Sequence, residues 1–144
     1  MANLNFTQDP EAPDLWAAEN VPAGPGRSPI HVMVQTDGEA PSAQASQKVR
    51  ELLAELDELV LAAADFLLDG YSPEHWLKQG IDPTQWLPKE SAEAMAGCAV
   101  LRALWLFDET GEGYEMWFTL PWDDVHTYDV EFDGGEPVGC SVND

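Results

Sequence analysis

The sequence predicts an α+β fold: an antiparallel C-terminal β-meander packed by a long amphipathic helix, with short helices between them. Three observations carry this reading. Apolar residues recur at three-and-four spacing between Val49 and Leu67, and they alternate at period two in the stretches 114–120 and 127–132. Between these regions lies a segment rich in proline and tryptophan that follows neither period. A chain of 144 residues with 44% hydrophobic and 10% aromatic content can fill one core.

Residues 1–29 hold Pro10, Pro13, Pro22, Pro25 and Pro29 with Gly24 and Gly26, the composition of an irregular leader that Trp16 pins to the body. The domain proper is expected over residues 30–144. It opens with IHVMVQT, a β-branched run of strand length, before the turn-prone DGEAPS. Ser42 then suits an N-cap. From there Val49, Leu52, Leu53, Leu56, Leu59, Val60, Ala63, Phe66 and Leu67 form a helical stripe that stops at Gly70, and Glu51, Glu55, Glu58, Asp65 and Asp69 form its solvated face.

Residues 71–97 contain SPEHWLKQG and DPTQWLPKESAEAMAG, each with a proline just after a Ser or Asp, which predicts two short helices and a third near 89–95. Trp76 and Trp86 read as their core anchors. The remainder is β. CAVLRALWLFDE has strand composition throughout, TGEG turns the chain, and YEMWFTL sets Tyr114, Met116, Phe118 and Leu120 on one face. TYDVEF sets Tyr128, Val130 and Phe132 against Asp129, Glu131 and Asp133, and DGGEP turns into VGCSVN.

Charge narrows the function. The 27 acids against 6 bases give a formal net charge of −21, which repels nucleic acid and anionic membranes and makes a basic protein the expected partner. All six bases, Arg27, Lys48, Arg50, Lys78, Lys89 and Arg102, precede residue 103, whereas residues 103–144 hold eleven acids. The N-terminus has no basic-then-apolar signal pattern and no apolar run is long enough to span a bilayer, so a cytoplasmic protein is expected. Cys98 and Cys140 lack metal or redox spacing and read as reduced, buried thiols.

Chemistry is sought first in PWDDVHTYDVEFDGG, residues 121–135, with five carboxylates and one histidine. Alternation sends Asp129, Glu131 and Asp133 to the solvent side of a strand as a row, a poor arrangement for acid–base catalysis, which needs carboxylates in unlike environments. Asp123, Asp124 and His126 form a D-D-x-H cluster that would suit a divalent ion, but His31 and His75 are remote in sequence. No metal or cofactor is therefore assigned, and DDVH is expected to be structural, with an aspartate accepting backbone hydrogen bonds at a turn. DETGEGYE puts Gly113 at position six of a calcium loop but Thr119 at position twelve, so it reads as a hairpin turn. No GxSxG, Walker, HExxH or GxGxxG motif is present, and no catalytic residue is assigned.

Residues 121–138, PWDDVHTYDVEFDGGEPV, resemble the C-terminal signature of small acidic bacterial proteins of unknown function, in which a Trp-Asp and a His precede an aliphatic strand, an acidic-Gly turn and a Val. This sequence has Thr127 and Tyr128 where that pattern places a glycine soon after the histidine. Several such families resemble immunity proteins of polymorphic toxin systems. The resemblance implies a cytoplasmic, non-catalytic binder whose partner is a cognate toxin. In that reading Glu112, Glu115, Asp129, Glu131 and Asp133 form a docking face and Trp117 and Trp122 supply its aromatic anchors. The alternatives are an acidic regulatory or nucleic-acid-mimicking domain for another basic protein, and a metal-dependent enzyme built on Asp123, Asp124 and His126.

Overall fold

The computed structural model describes residues 4–70, Lys78, Gly80 and 91–143. Its elements are β1 (Thr7–Gln8), β2 (Leu15–Val21), β3 (Ile30–Gln35), α1 (Ala43–Ala54), α2 (Leu56–Gly70), α3 (Ala92–Cys98), β4 (Val100–Leu106), β5 (Gly113–Leu120), β6 (Asp123–Asp133) and β7 (Glu136–Asn143). The described strands make one mixed sheet in the order β1-β2-β3-β4-β5-β6-β7. The α+β class holds. The short helices expected within 71–90, with Trp76 and Trp86, lie outside the described residues.

Residues 1–29 are not simply an irregular leader. The prolines of this segment fall between the strands, and LWAAENV between them forms β2, which pairs antiparallel with β3 through Trp16 opposite Val34 and Ala18 opposite Val32. Proline density marks the loops correctly, but it conceals a seven-residue strand that needs only Ala18 and Val21, each 1% exposed, to join the core.

The long helix is two helices. Ser42 caps α1 as expected, its Oγ accepting the Ala45 N–H at 3.1 Å. At Glu55 the backbone leaves the helical region (φ −105°, ψ 12°) and its N–H closes a tight turn onto the Leu52 carbonyl. The apolar stripe cannot register this break, because Leu52, Leu56, Leu59 and Val60 stay buried on both sides of it. Ser91 likewise caps α3, which runs to Cys98, so β4 is shorter than the apolar run CAVLRALWLFDE suggested.

Strands β4 to β7 pair antiparallel in chain order. The join between β3 and β4 is instead parallel, with Val32 opposite Leu104 and Val34 opposite Leu106. Hydrophobic pattern carries no strand direction; the crossover through α1, α2 and α3 does, since parallel neighbours require such a connection. One core cluster unites Val49, Leu52, Leu56, Val60, Ala63 and Leu67 of the helices and Met95 of α3 with Val32, Leu104, Met116, Phe118, Val130 and Phe132 of the sheet. Inside it Tyr114 and Phe132 stack with ring centroids 5.0 Å apart.

The DETGEGYE segment is a tight turn locked to α1. Asp108 Oδ1 accepts the Thr110 N–H at 2.9 Å, and Glu109 Oε1 accepts the N–H of Ser42 at 2.7 Å. Gly111 sits at φ +67°, and a Cβ there would meet Lys48 Cγ at 2.3 Å, so only glycine fits between this turn and the helix. Among the described residues no helix is long and apolar enough to cross a membrane. Cys98 and Cys140 are both partly buried against the core and form no disulfide with each other.

Candidate functional site

With the described helices gathered on one face of the sheet, the opposite face of β4, β5 and β6 has no described helix over it. Register builds that face in two cross-strand rows. One runs Trp105, Glu115, Glu131 and the other Ala103, Trp117, Asp129, Ser141. Phe107 follows Trp105 at the end of β4. Trp105 meets Trp117 edge-to-face at 6.0 Å and Phe107 at 5.6 Å, forming an aromatic cluster outside the core. Ala103, flanked by the two indoles, is buried yet belongs to no part of the main core cluster.

Of the residues expected on the docking face, the structure brings four into this patch. Trp117 is half-buried and donates its indole N–H to Glu115 Oε1 at 2.8 Å. Glu131 is exposed beside Glu115. Asp129 lies on the predicted face but is not solvated: only 6% of it is exposed. Mid-sheet, between Trp117 on one strand and Ser141 on the other, neighbours on both sides cover it, which alternation alone does not reveal. Asp133 and Glu112 are exposed at the turn end of the patch, where the Gly134 N–H bonds to the Glu112 carbonyl at 2.8 Å.

Trp122 is not an interface anchor. It follows Pro121 in the turn between β5 and β6, and its side chain is folded into the core with 4% exposed. Sequence reasoning missed Trp105 and Phe107 as members of the face. Ala103, Trp105 and Phe107 do alternate with Leu104 and Leu106, but every one of the five is apolar, so the run looks buried on both sides.

Electrostatics distinguish the acids of this patch. Burial pushes the Glu115 carboxyl up, the Trp117 hydrogen bond opposes that, and the charges of Asp129 and Glu131 push it further up. Burial also raises Asp129, against the opposing hydrogen bonds of Thr127 and Asn143. Asn143 Nδ2 donates to Asp129 Oδ2 at 2.6 Å, whereas Oδ1 has no hydrogen-bond partner among the described residues. Trp105 Nε1 is another buried polar atom without a partner there. Ion pairs among the described residues are Arg27 with Asp57 and His126 with Asp123, so Glu115, Asp129 and Glu131 have no cation of the described chain.

The DDVH cluster is built differently. Asp123 opens β6 and is 2% exposed. Its Oδ1 meets His126 Nδ1 at 2.8 Å and accepts the Val125 N–H at 3.4 Å, and its Oδ2 accepts the Tyr128 hydroxyl at 2.6 Å. Burial works against ionisation here, yet the hydrogen bonds from Tyr128 and His126 outweigh it and hold the carboxyl below its ordinary value. The aspartate thus accepts the expected backbone bond and two side-chain bonds besides. Both oxygens are committed inside the protein, and no group of three or more ligating side chains fit to hold a metal ion occurs among the described residues.

Comparison with protein-family models, with curated proteins and with solved structures finds no match to this chain.

Proposed function

We propose that this protein is a non-catalytic binding domain that neutralises a basic protein partner, in the manner of the immunity proteins its C-terminal segment resembles. The observation that carries the reading is the sheet face over which no described helix lies, where Trp105 and Trp117 lie half-buried among Glu115, Asp129 and Glu131 and no described cation answers those charges. Tryptophan is enriched at interface centres, and the net charge of −21 would steer a basic toxin toward this face from a distance.

The test is to reverse Glu115 and Glu131 to lysine and compare capture from extract of the native cell with that by the parent chain. Both positions are outside the core, so the fold should melt as before. A basic protein held by the parent and lost by the double variant supports the reading, and its association should slow as salt rises. Retention unchanged by the reversal sinks it. Release of the captured protein by DNA would point instead to an acidic surface that imitates nucleic acid.

A further inference from the structure

The proposed binding role leaves open which chemical group the sheet face receives. We infer that the patch formed by Trp105, Trp117, Glu115, Asp129 and Glu131 is a docking site for an arginine side chain of the partner protein. This inference rests on the binding reading above and specifies its central contact.

Three features of the patch fit a guanidinium and fit an ammonium poorly. The first is a buried acceptor that is half used. Asp129 is 6% exposed, Asn143 occupies its Oδ2, and its Oδ1 has no hydrogen-bond partner among the described residues. Leaving a carboxylate oxygen buried and unpaired is costly, and a donor that reached Oδ1 would relieve that cost. The second is the distribution of acceptors. Glu115 and Glu131 face each other across β5 and β6, one row from Asp129, so a planar fork with five N–H groups can address more than one carboxylate at once. A lysine ammonium is a compact point charge and satisfies such a spread set less well.

The third feature is the aromatic surface. Trp105 and Trp117 stand nearly perpendicular, at 86°, so they present surfaces in two orientations beside the acids. A guanidinium is weakly hydrated and stacks on an indole while its edge donates to carboxylates; an ammonium must surrender a tighter hydration shell to do the same. Glu115 is already held by the Trp117 indole N–H at 2.8 Å, which fixes one acceptor against the ring a guanidinium would cover.

The test uses the full chain and two synthetic peptides of equal length and charge, one carrying arginine wherever the other carries lysine. Binding is read from tryptophan fluorescence and from the indole N–H resonances of Trp105 and Trp117. The expected result is that the arginine peptide binds about tenfold more tightly or better, as bidentate pairing and stacking require. Glu131→Gln, at an exposed position that leaves the core intact, should remove most of that preference, and Trp117→Leu should remove the remainder. Equal binding of the two peptides, weakened alike by salt and by Glu131→Gln, overturns the arginine assignment and leaves the basic-partner reading standing. Absence of any change at the two indoles with either peptide at millimolar concentration also overturns it, and the lysine-reversal capture then decides the broader reading by itself. An arginine preference that survives both substitutions places the contact elsewhere and overturns the site.

Discussion

Strand β6 carries two buried aspartates that are satisfied to different extents. Asp123 has both oxygens engaged by His126, Tyr128 and Val125, and its carboxyl is held below the ordinary value. Asp129 has one oxygen engaged and one idle, and its carboxyl is pushed up by burial. The same pair of conditions recurs in Tyr114 and Tyr128, both fully buried. Tyr128 donates to Asp123 at 2.6 Å, while the Tyr114 hydroxyl has no partner among the described residues. Burial alone therefore does not set what a polar group contributes; the number of its satisfied atoms does. A satisfied buried charge costs the fold less than a half-satisfied one, which weakens it.

The sharpest way to break the comparison is Asp123→Ala. It removes the acceptor shared by the Tyr128 hydroxyl and His126 and empties a buried position, and is expected to cost about 3 to 5 kcal/mol in denaturant unfolding. A cost below about 1 kcal/mol would mean that the knot is dispensable.

Alkaline titration comes next. Burial and, secondarily, the charge of Glu55 push the Tyr114 hydroxyl up to about 12, against about 10 in an unfolded chain. Between these values the unfolded state has released the proton and the folded state still holds it, so stability falls as pH rises, by up to about 2.7 kcal/mol. Tyr114→Phe should abolish that slope and leave stability at pH 7 unchanged or improved. Tyr128→Phe, the matched substitution at the bonded tyrosine, should cost about 1.5 kcal/mol at pH 7.

The smallest effect has the opposite sign. Asp129→Asn retains an acceptor for Asn143 and removes a charge that burial disfavours, so it should stabilise the protein by up to about 1 kcal/mol at pH 7 while weakening partner binding. Because its folded carboxyl takes up a proton more readily than the unfolded one, the parent regains that deficit on acidification through the raised value. The two curves should converge at low pH. Asp123 works the other way: its contribution is present above the ordinary aspartate value of about 3.9 and is lost as pH falls through the lower folded value. Unfolding curves of parent and Asp129→Asn that run parallel from pH 7 to pH 4 would remove the distinction between the two aspartates.

Much of this was legible in the sequence because period and capping report local geometry. The four C-terminal strands, the Ser42 cap, the turn at DETGEGYE and the outward direction of Glu115, Glu131 and Asp133 all follow from side chains within a few positions of one another. What was hidden depends on distant neighbours. The direction of β4 against β3 is set by a crossover, the Glu55 break leaves the stripe in phase, and β2 lies among prolines. The candidate site divided in the same manner: alternation set Glu131 on the outer face, while Trp117 entered only as an anchor in the reading by resemblance, Trp105 sat in a run too apolar to show two faces, and the depth of Asp129 was set by strands on either side of it.

The parallel join between β3 and β4 also sets an order of assembly. Every strand carrying the acidic and aromatic patch belongs to hairpins closed over short turns, so loop-closure entropy there is small. Adding β3, and with it β2 and β1, requires the chain from Thr36 to Ala99 to be gathered first, a step of high contact order. The C-terminal hairpins can thus form a nucleus onto which the helices and then the N-terminal strands condense. On a nascent chain this places the acidic and aromatic patch among the last segments synthesised, on the strands with the shortest loops to close.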